Sequence, residues 1–177
     1  MDAYLDIETT GLSRYDNRIT VIGVYRHWGV DGEFIQLWGE QVTPENLLEA
    51  LDGVQTIYTY NGSGFDLPFI RQAIGVDLNA MFNHHDLMRD CLRHGLKGGL
   101  KQVEWRLGID RETVGMDGFQ AVMLWTWYER RGDLEALKKL LKYNKEDVIN
   151  LLCLREKLAS RNTAGITRPR VDWRYNK

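Results

Sequence analysis

Apolar and polar positions alternate over residues 3–8, and the same β-type patterning recurs over 19–28 and 33–38, which predicts three strands early in the chain. Gly29-Val30-Asp31-Gly32 joins the second to the third, and its Asp-Gly pair predicts the hairpin turn. Pro44 opens a short amphipathic helix on Leu47, Leu48 and Leu51 that stops near Gly53. Residues 55–60 form a fourth strand, followed by the turn Asn61-Gly62-Ser63-Gly64 and a helix with Phe65, Phe69, Ile70 and Ile74. An extended piece is expected near 83–86. Beyond it the pattern turns helical: about 98–107 ending at Gly108, Asp117 as N-cap to Arg131-Gly132, and a helical pair over 133–159 with a break near Tyr143-Asn144. Strands early, helices late and both interleaved between them predict an α/β domain over 1–160, with residues 161–177 as a C-terminal tail or an arm over the site.

The first strand contains an electrostatic conflict. Side chains alternate along a strand, so Asp6 and Glu8 share one face while Leu5 and Ile7 take the other. Two like charges on a core strand resist desolvation and repel each other, and a divalent cation between them resolves both problems. Two further acids join them. Asp66 stands where the helix after the fourth strand begins, either as its cap, alone or with Ser63, or as a ligand. Asp147 lies on the apolar stripe Leu140, Leu151, Leu154, Leu158, with no basic residue on that stripe; capping with Asn144 is its competing role. Four carboxylates suit two Mg²⁺ or Mn²⁺ ions, the arrangement that supports in-line displacement at phosphorus. Tyr143, one turn before Asp147, shares its face, and with an ordinary pKa near ~10 it orients water rather than removing its proton.

Composition and charge leave a polyanion partner open without requiring one. Of the 177 residues 44% are hydrophobic, enough for one core. Residues 1–90 hold 5 basic and 14 acidic side chains, net −9, whereas 91–177 hold 18 and 11, net +7. An acidic half suits cations and a basic half suits a polyanion, or is simply a solvated helical surface. No apolar run spans a membrane and no leader-like segment opens the chain, so a cytoplasmic protein with Cys91 and Cys153 as reduced thiols is expected.

The order Asp6-x-Glu8 with Thr10-Gly11-Leu12, then Asn61-x-x-x-Phe65-Asp66, then Tyr143-x-x-x-Asp147, resembles the DEDD superfamily of 3′–5′ exonucleases, and the tyrosine its DEDDy subgroup. Gly99-Leu100-Lys101-Gln102-Val103-Glu104 and Tyr143-Asn144-Lys145-Glu146-Asp147-Val148 resemble the ribonuclease H-like proteins related to the exonuclease domain of family B DNA polymerases. The resemblance implies a ribonuclease H-like mixed sheet flanked by helices. It implies metal ligation by Asp6, Glu8, Asp66 and Asp147, with Tyr143 orienting the water. It further implies that Thr9, Thr10 and Leu12 hold the 3′ end of single-stranded DNA or RNA, with Leu12 against the terminal base and Asn61 and Phe65 on sugar or base. For Leu12 and Phe65, core packing is the alternative. Structure-specific endonuclease action and a non-catalytic nucleic-acid-binding subunit are the rival functions.

Several other residues carry less weight. His84 and His85 are adjacent on an extended segment and point to opposite faces, so they do not share an ion. Trp125, Trp127 and Tyr128 fit core and half-exposed helix positions better than a stacking platform. Lys97, Lys101, Arg106, Lys138, Lys139, Lys142 and Lys145 are candidates for phosphate contacts.

Overall fold

The computed structural model describes residues 1–163; the tail beyond them, and with it the expected arm, lies outside the described residues. Five strands form one mixed sheet: β1 (Asp2–Thr9), β2 (Ile19–Trp28), β3 (Asp31–Trp38), β4 (Thr56–Thr59) and β5 (Asn83–Asp86). Their order is β3-β2-β1-β4-β5, with β1/β2 and β2/β3 antiparallel and β1/β4 and β4/β5 parallel. This is the mixed ribonuclease H-like sheet that the sequence motifs imply.

Alternation along β1 divides the interior. Ala3, Leu5 and Ile7 face α1 (Pro44–Ala50), α2 (Asp66–Ile74) and α3 (Leu78–Met81), where Leu47, Leu51, Phe69, Ile70 and Leu78 complete one core. Tyr4 faces the opposite side, among Leu87 and Cys91 of α4 (Leu87–Arg93), Val103 of α5 (Leu100–Leu107) and Val148, Leu151 and Leu154 of α7 (Leu134–Thr163). A third cluster places Ala121, Leu124 and Trp125 of α6 (Gly118–Arg131) against Val21 and the N-terminal half of α7. Each fully buried aliphatic or aromatic side chain contributes about 1.5–3 kcal/mol. Burial on this scale is what allows Asp6 and Glu8 to sit on the same strand.

Two local expectations are corrected. The hairpin turns on Gly29-Val30, with Gly29 at φ +66, while Asp31 and Gly32 already pair with Trp28 and His27. The positive φ falls on the first turn residue, where glycine is cheapest, and not on the Asp-Gly pair. The helical pair over 133–159 is one continuous helix. Tyr143-Asn144 reads as a break because two polar groups interrupt the apolar stripe; they do so because that face of α7 meets the carboxylates of β1.

Other boundaries follow from caps. Asp117 and Gln120 form a reciprocal capping box on α6, and Gly132 closes that helix in the left-handed conformation. The short helices α3 and α4 have no counterpart among the expected elements.

Candidate active site

Between Glu8 and Thr9 the pairing of β1 with β2 shifts register, leaving Thr20 as the extra residue on β2, and a cleft opens at this end of β1. Against this end α7 lays Tyr143 and Asp147, one turn apart on one face. Asp6, Glu8 and Asp147 each present an oxygen within 4.8 Å of the other two, the one such grouping of potential metal ligands among the described residues. Asp66 stands outside that trio. Its Oδ1 accepts the Ile7 N–H at 3.2 Å, so it is pinned to β1 between the other two acids. It is not the N-cap of α2, a position that Phe65 takes without a side-chain contact. Asn144 likewise caps nothing: its Nδ2 donates to Asp6 Oδ2 at 3.0 Å.

The electrostatics match the geometry. Burial, then repulsion from Asp147 and its neighbours, pushes Asp6 and Glu8 well above the carboxylate range. Burial lifts Asp66 to about 7. Asp147 is raised by burial too, against the pull of Arg111 and Lys101. Tyr143 is pushed above the usual tyrosine range, by burial first and then by Asp147, Glu8 and Asp6, so its hydroxyl stays protonated. Lys101 Nζ donates to that hydroxyl at 2.6 Å, which leaves the phenol proton for Asp147. Fully ionised, the four acids would outnumber the two cations beside them, Lys101 and Arg111. An all-oxygen set of buried, mutually repelling carboxylates fits a hard divalent cation.

Several residues of this site were not foreseen. Asp147, with no basic partner on its own helix stripe, receives one from the loop after α5, where the Arg111 guanidinium bonds it. Glu104, fully buried and raised to about 7 mainly by burial, faces the same guanidinium and accepts from Asn150. Lys101, expected only as a phosphate contact, sits inside the site. Gln36 Nε2 donates to Asn144 Oδ1 at 2.9 Å, over the row Gln36–Gly23–Asp6 that crosses three strands. Gly23 leaves the space: a Cβ there would lie 2.3 Å from Asn144 Oδ1. A glycine inside the apolar run of β2 is the signal for such a close approach.

Asp86 organises the opposite wall. It accepts from the Asn61 and Ser63 N–H groups at 2.8 and 3.1 Å and from the Ser63 hydroxyl at 2.8 Å. These bonds hold the turn that presents Asn61, Phe65 and Asp66, with Asn61 itself at φ +62. Nothing in the sequence marks Asp86, which also caps α4.

The resulting cleft, about 510 Å³, joins Asp6–Leu12, Asn61, Phe65, Asp66, Tyr143 and Asp147 with Gly118, Phe119 and Val122 of α6. All ten sequence-predicted site residues line it. Leu12 is 87% exposed at its rim, which removes core packing as its role. Phe65 does both, packing on Phe69 at 5.5 Å between ring centroids while lining the cleft. Phe119, 73% exposed, faces the same opening and was not anticipated. Thr9 and Thr10 are tied into the rim loop, Thr9 through Gly11 O and Thr10 through Asn17.

The discounted residues lie elsewhere. His84 meets Thr59, His85 meets Asp90, and Trp125 packs with Tyr128 in the third core. Lys138 and Lys142 pair with Glu135 and Glu112 on the surface.

Comparison with known proteins agrees with this architecture. The chain is 28% identical over 164 residues to the uncharacterized protein MJ0365 of Methanocaldococcus jannaschii, covering 82% of this chain and 88% of that one. The family B DNA polymerase of Pyrobaculum calidifontis superposes on 89% of this chain with a TM-score of 0.66 and 17% identity, over 24% of its own length. NrnC of Brucella melitensis bound to pGG superposes on 93% of this chain, using 74% of its own, with a TM-score of 0.61 and 19% identity. The same protein with bound Mg²⁺ gives 0.60 and 21% over the same shares. At these identities the likeness speaks for the fold. The sequence model of the RNase_H superfamily matches residues 3–159, from the strand bearing the paired acids to the helix bearing Asp147, and the chain belongs to that superfamily.

Proposed function

We propose that this protein is a divalent-metal-dependent 3′–5′ exonuclease that releases nucleoside monophosphates from single-stranded nucleic acid. The observation that carries this reading is the convergence of Asp6, Glu8 and Asp147 within 4.8 Å at the end of a cleft with an exposed apolar rim. Asp6, Glu8 and Asp147 would hold one Mg²⁺ or Mn²⁺ ion, and Asp66 would join Asp6 at a second. Such ions, when bound, acidify the attacking water and offset charge on the scissile phosphate.

The protein's own groups do the rest. Tyr143, kept protonated and held by Lys101, directs the attacking water through its hydroxyl. Leu12, with Thr9 and Thr10 beneath it, seats the terminal nucleotide. Asn61 and Phe65 take the sugar or base from the opposite wall, since single strands are gripped largely by stacking on aromatic and apolar faces. The Mg²⁺ and pGG bound by NrnC support this reading of a cleft on the same fold. No helix among the described residues is long and apolar enough to cross a membrane, in keeping with a cytoplasmic enzyme.

Substrate topology separates this function from its rivals. Linear single strands with a free 3′ hydroxyl are expected to be degraded to monophosphates, while a circular strand of the same sequence stays intact. Nicking of the circle would establish an endonuclease instead. Binding without turnover of either substrate would leave a non-catalytic nucleic-acid-binding subunit.

Stability should respond to pH and metal together. Asp66 titrates at about 7 in the fold against an ordinary 3.8, so the fold binds the extra proton between these values. That contribution is complete below the unfolded pKa and is lost as pH rises through the folded one. Asp6, Glu8 and Asp147 shift in the same direction. Mg²⁺ needs the deprotonated acids, so its stabilisation should grow over this window. Thermal unfolding is expected to show a clear rise in midpoint with Mg²⁺ at about pH 7.5 and little at about pH 5. Equal rises at both would contradict the assignment.

A further inference from the structure

Arg111 is an unusual occupant for a metal-binding cluster. It comes from the loop between α5 and α6, and its side chain is only 9% exposed. Nη2 bonds Asp147 Oδ1, one of the two oxygens that residue could offer a cation. The other side of the guanidinium is held more loosely. Nη1 lies 3.2 Å from Glu104 Oε2 and Nε 3.6 Å from Glu146 Oε2, and neither nitrogen has a hydrogen-bond partner. Glu146 in turn accepts from the Glu112 and Thr113 N–H groups, which anchors the loop to α7.

Without both Arg111 and a metal, Asp147 would face Asp6 and Glu8 with only the weaker pull of Lys101 to offset them. One strong bond to a ligating carboxylate, backed by two ion pairs to acids outside the ligand trio, is the arrangement expected of a cation that can yield its oxygen and stay nearby. A fixed positive charge beside a metal ligand both repels the incoming ion and competes for the ligand's lone pairs.

We propose that Arg111 is a stand-in counter-cation for Asp147: it holds the carboxylate cluster together when metal is absent and limits how tightly the site binds a divalent ion. This deepens, and rests on, the metal-dependent reading above. Arg111 acts through Asp147 and is a positioning residue. Metal binding shifts its charge toward Glu104 and Glu146, which remain to receive it.

Mn²⁺ binding, followed by electron paramagnetic resonance or calorimetry on the full chain without nucleic acid, tests the proposal in wild type, Arg111→Gln and Arg111→Lys. Arg111→Gln is expected to bind Mn²⁺ about tenfold more tightly. Arg111→Lys, which keeps the charge, should stay near wild type. Thermal unfolding should show Arg111→Gln losing more stability in chelator than in Mn²⁺. Unchanged or weaker Mn²⁺ binding by Arg111→Gln, beside a wild type that does bind, would overturn the inference alone. So would equal destabilisation in both conditions, or a variant that folds in neither, since a plain structural tie predicts both. A wild type that binds no Mn²⁺ would overturn the metal reading itself and the inference with it.

Discussion

Asp6→Asn is expected to abolish nuclease activity, by at least about 10³-fold, while making the metal-free protein harder to unfold. The two effects have one cause. Asp6 sits among Glu8, Asp66 and Asp147 and is pushed well above its ordinary range, first by burial and then by these charges. An amide of the same shape removes the repulsion and can still accept the Asn144 N–H that Asp6 now accepts. In chelator near neutral pH the unfolding midpoint should rise by several degrees, on the order of 1 kcal/mol. Added Mg²⁺ should then stabilise the variant little. A carboxylate kept for structure would give the opposite pattern, with lower stability and retained turnover. Thermal unfolding in chelator and in Mg²⁺, with turnover of a labelled strand, reads both effects on one preparation.

Gly23→Ala is expected to lower both stability and metal affinity without touching an acid. The added Cβ would stand 2.3 Å from Asn144 Oδ1 and 2.8 Å from Val148 Cγ2, both on the buried face of α7. Asn144 cannot simply rotate away, because Gln36 donates to its oxygen and its Nδ2 serves Asp6. Either α7 moves off the sheet or the brace on Asp6 breaks. Overpacking of this kind costs about 1–3 kcal/mol. Loss of a residue that orients a metal ligand costs about 10–100-fold in metal affinity or activity. Denaturant unfolding with a Mn²⁺ titration measures both. A variant with wild-type stability and affinity would mean that α7 has slack at this point, contrary to the packing described.

The central acids are legible in the sequence because their signal is local. Asp6 and Glu8 announce themselves by strand alternation, Tyr143 and Asp147 by helical spacing, and Leu12 and Asp66 by the motifs around them. The supporting residues lack such a signal. Arg111 meets Asp147 across 36 residues, Gln36 meets Asn144 across 108, and Asn144 meets Asp6 across 138. No periodicity encodes those pairings; the first needs the α5–α6 loop folded onto α7, the other two the sheet's three strands brought into one row under α7. Asp86 is hidden for a related reason, since its partners Asn61 and Ser63 lie 25 and 23 residues earlier, beyond α2 and α3. The helix α3, of 4 residues, is too short to show a repeat, and α4, as short as α1, lacks the opening proline that marks α1 in the sequence. The supposed break at Tyr143-Asn144 shows the same limit from the other side. A polar interruption in an apolar stripe marks either a helix end or a functional face, and only the position of β1 decides between them.

These carboxylates are expected to support metal-dependent removal of nucleotides from a 3′ end, and a 5′-labelled single strand, as DNA and as RNA, incubated with the purified protein in Mg²⁺ or Mn²⁺, shows whether they do. The expected result is a ladder that shortens one nucleotide at a time from the 3′ end, absent in chelator and absent with Asp147→Ala. An intact strand in both ions, or a ladder that Asp147→Ala still produces, would contradict it.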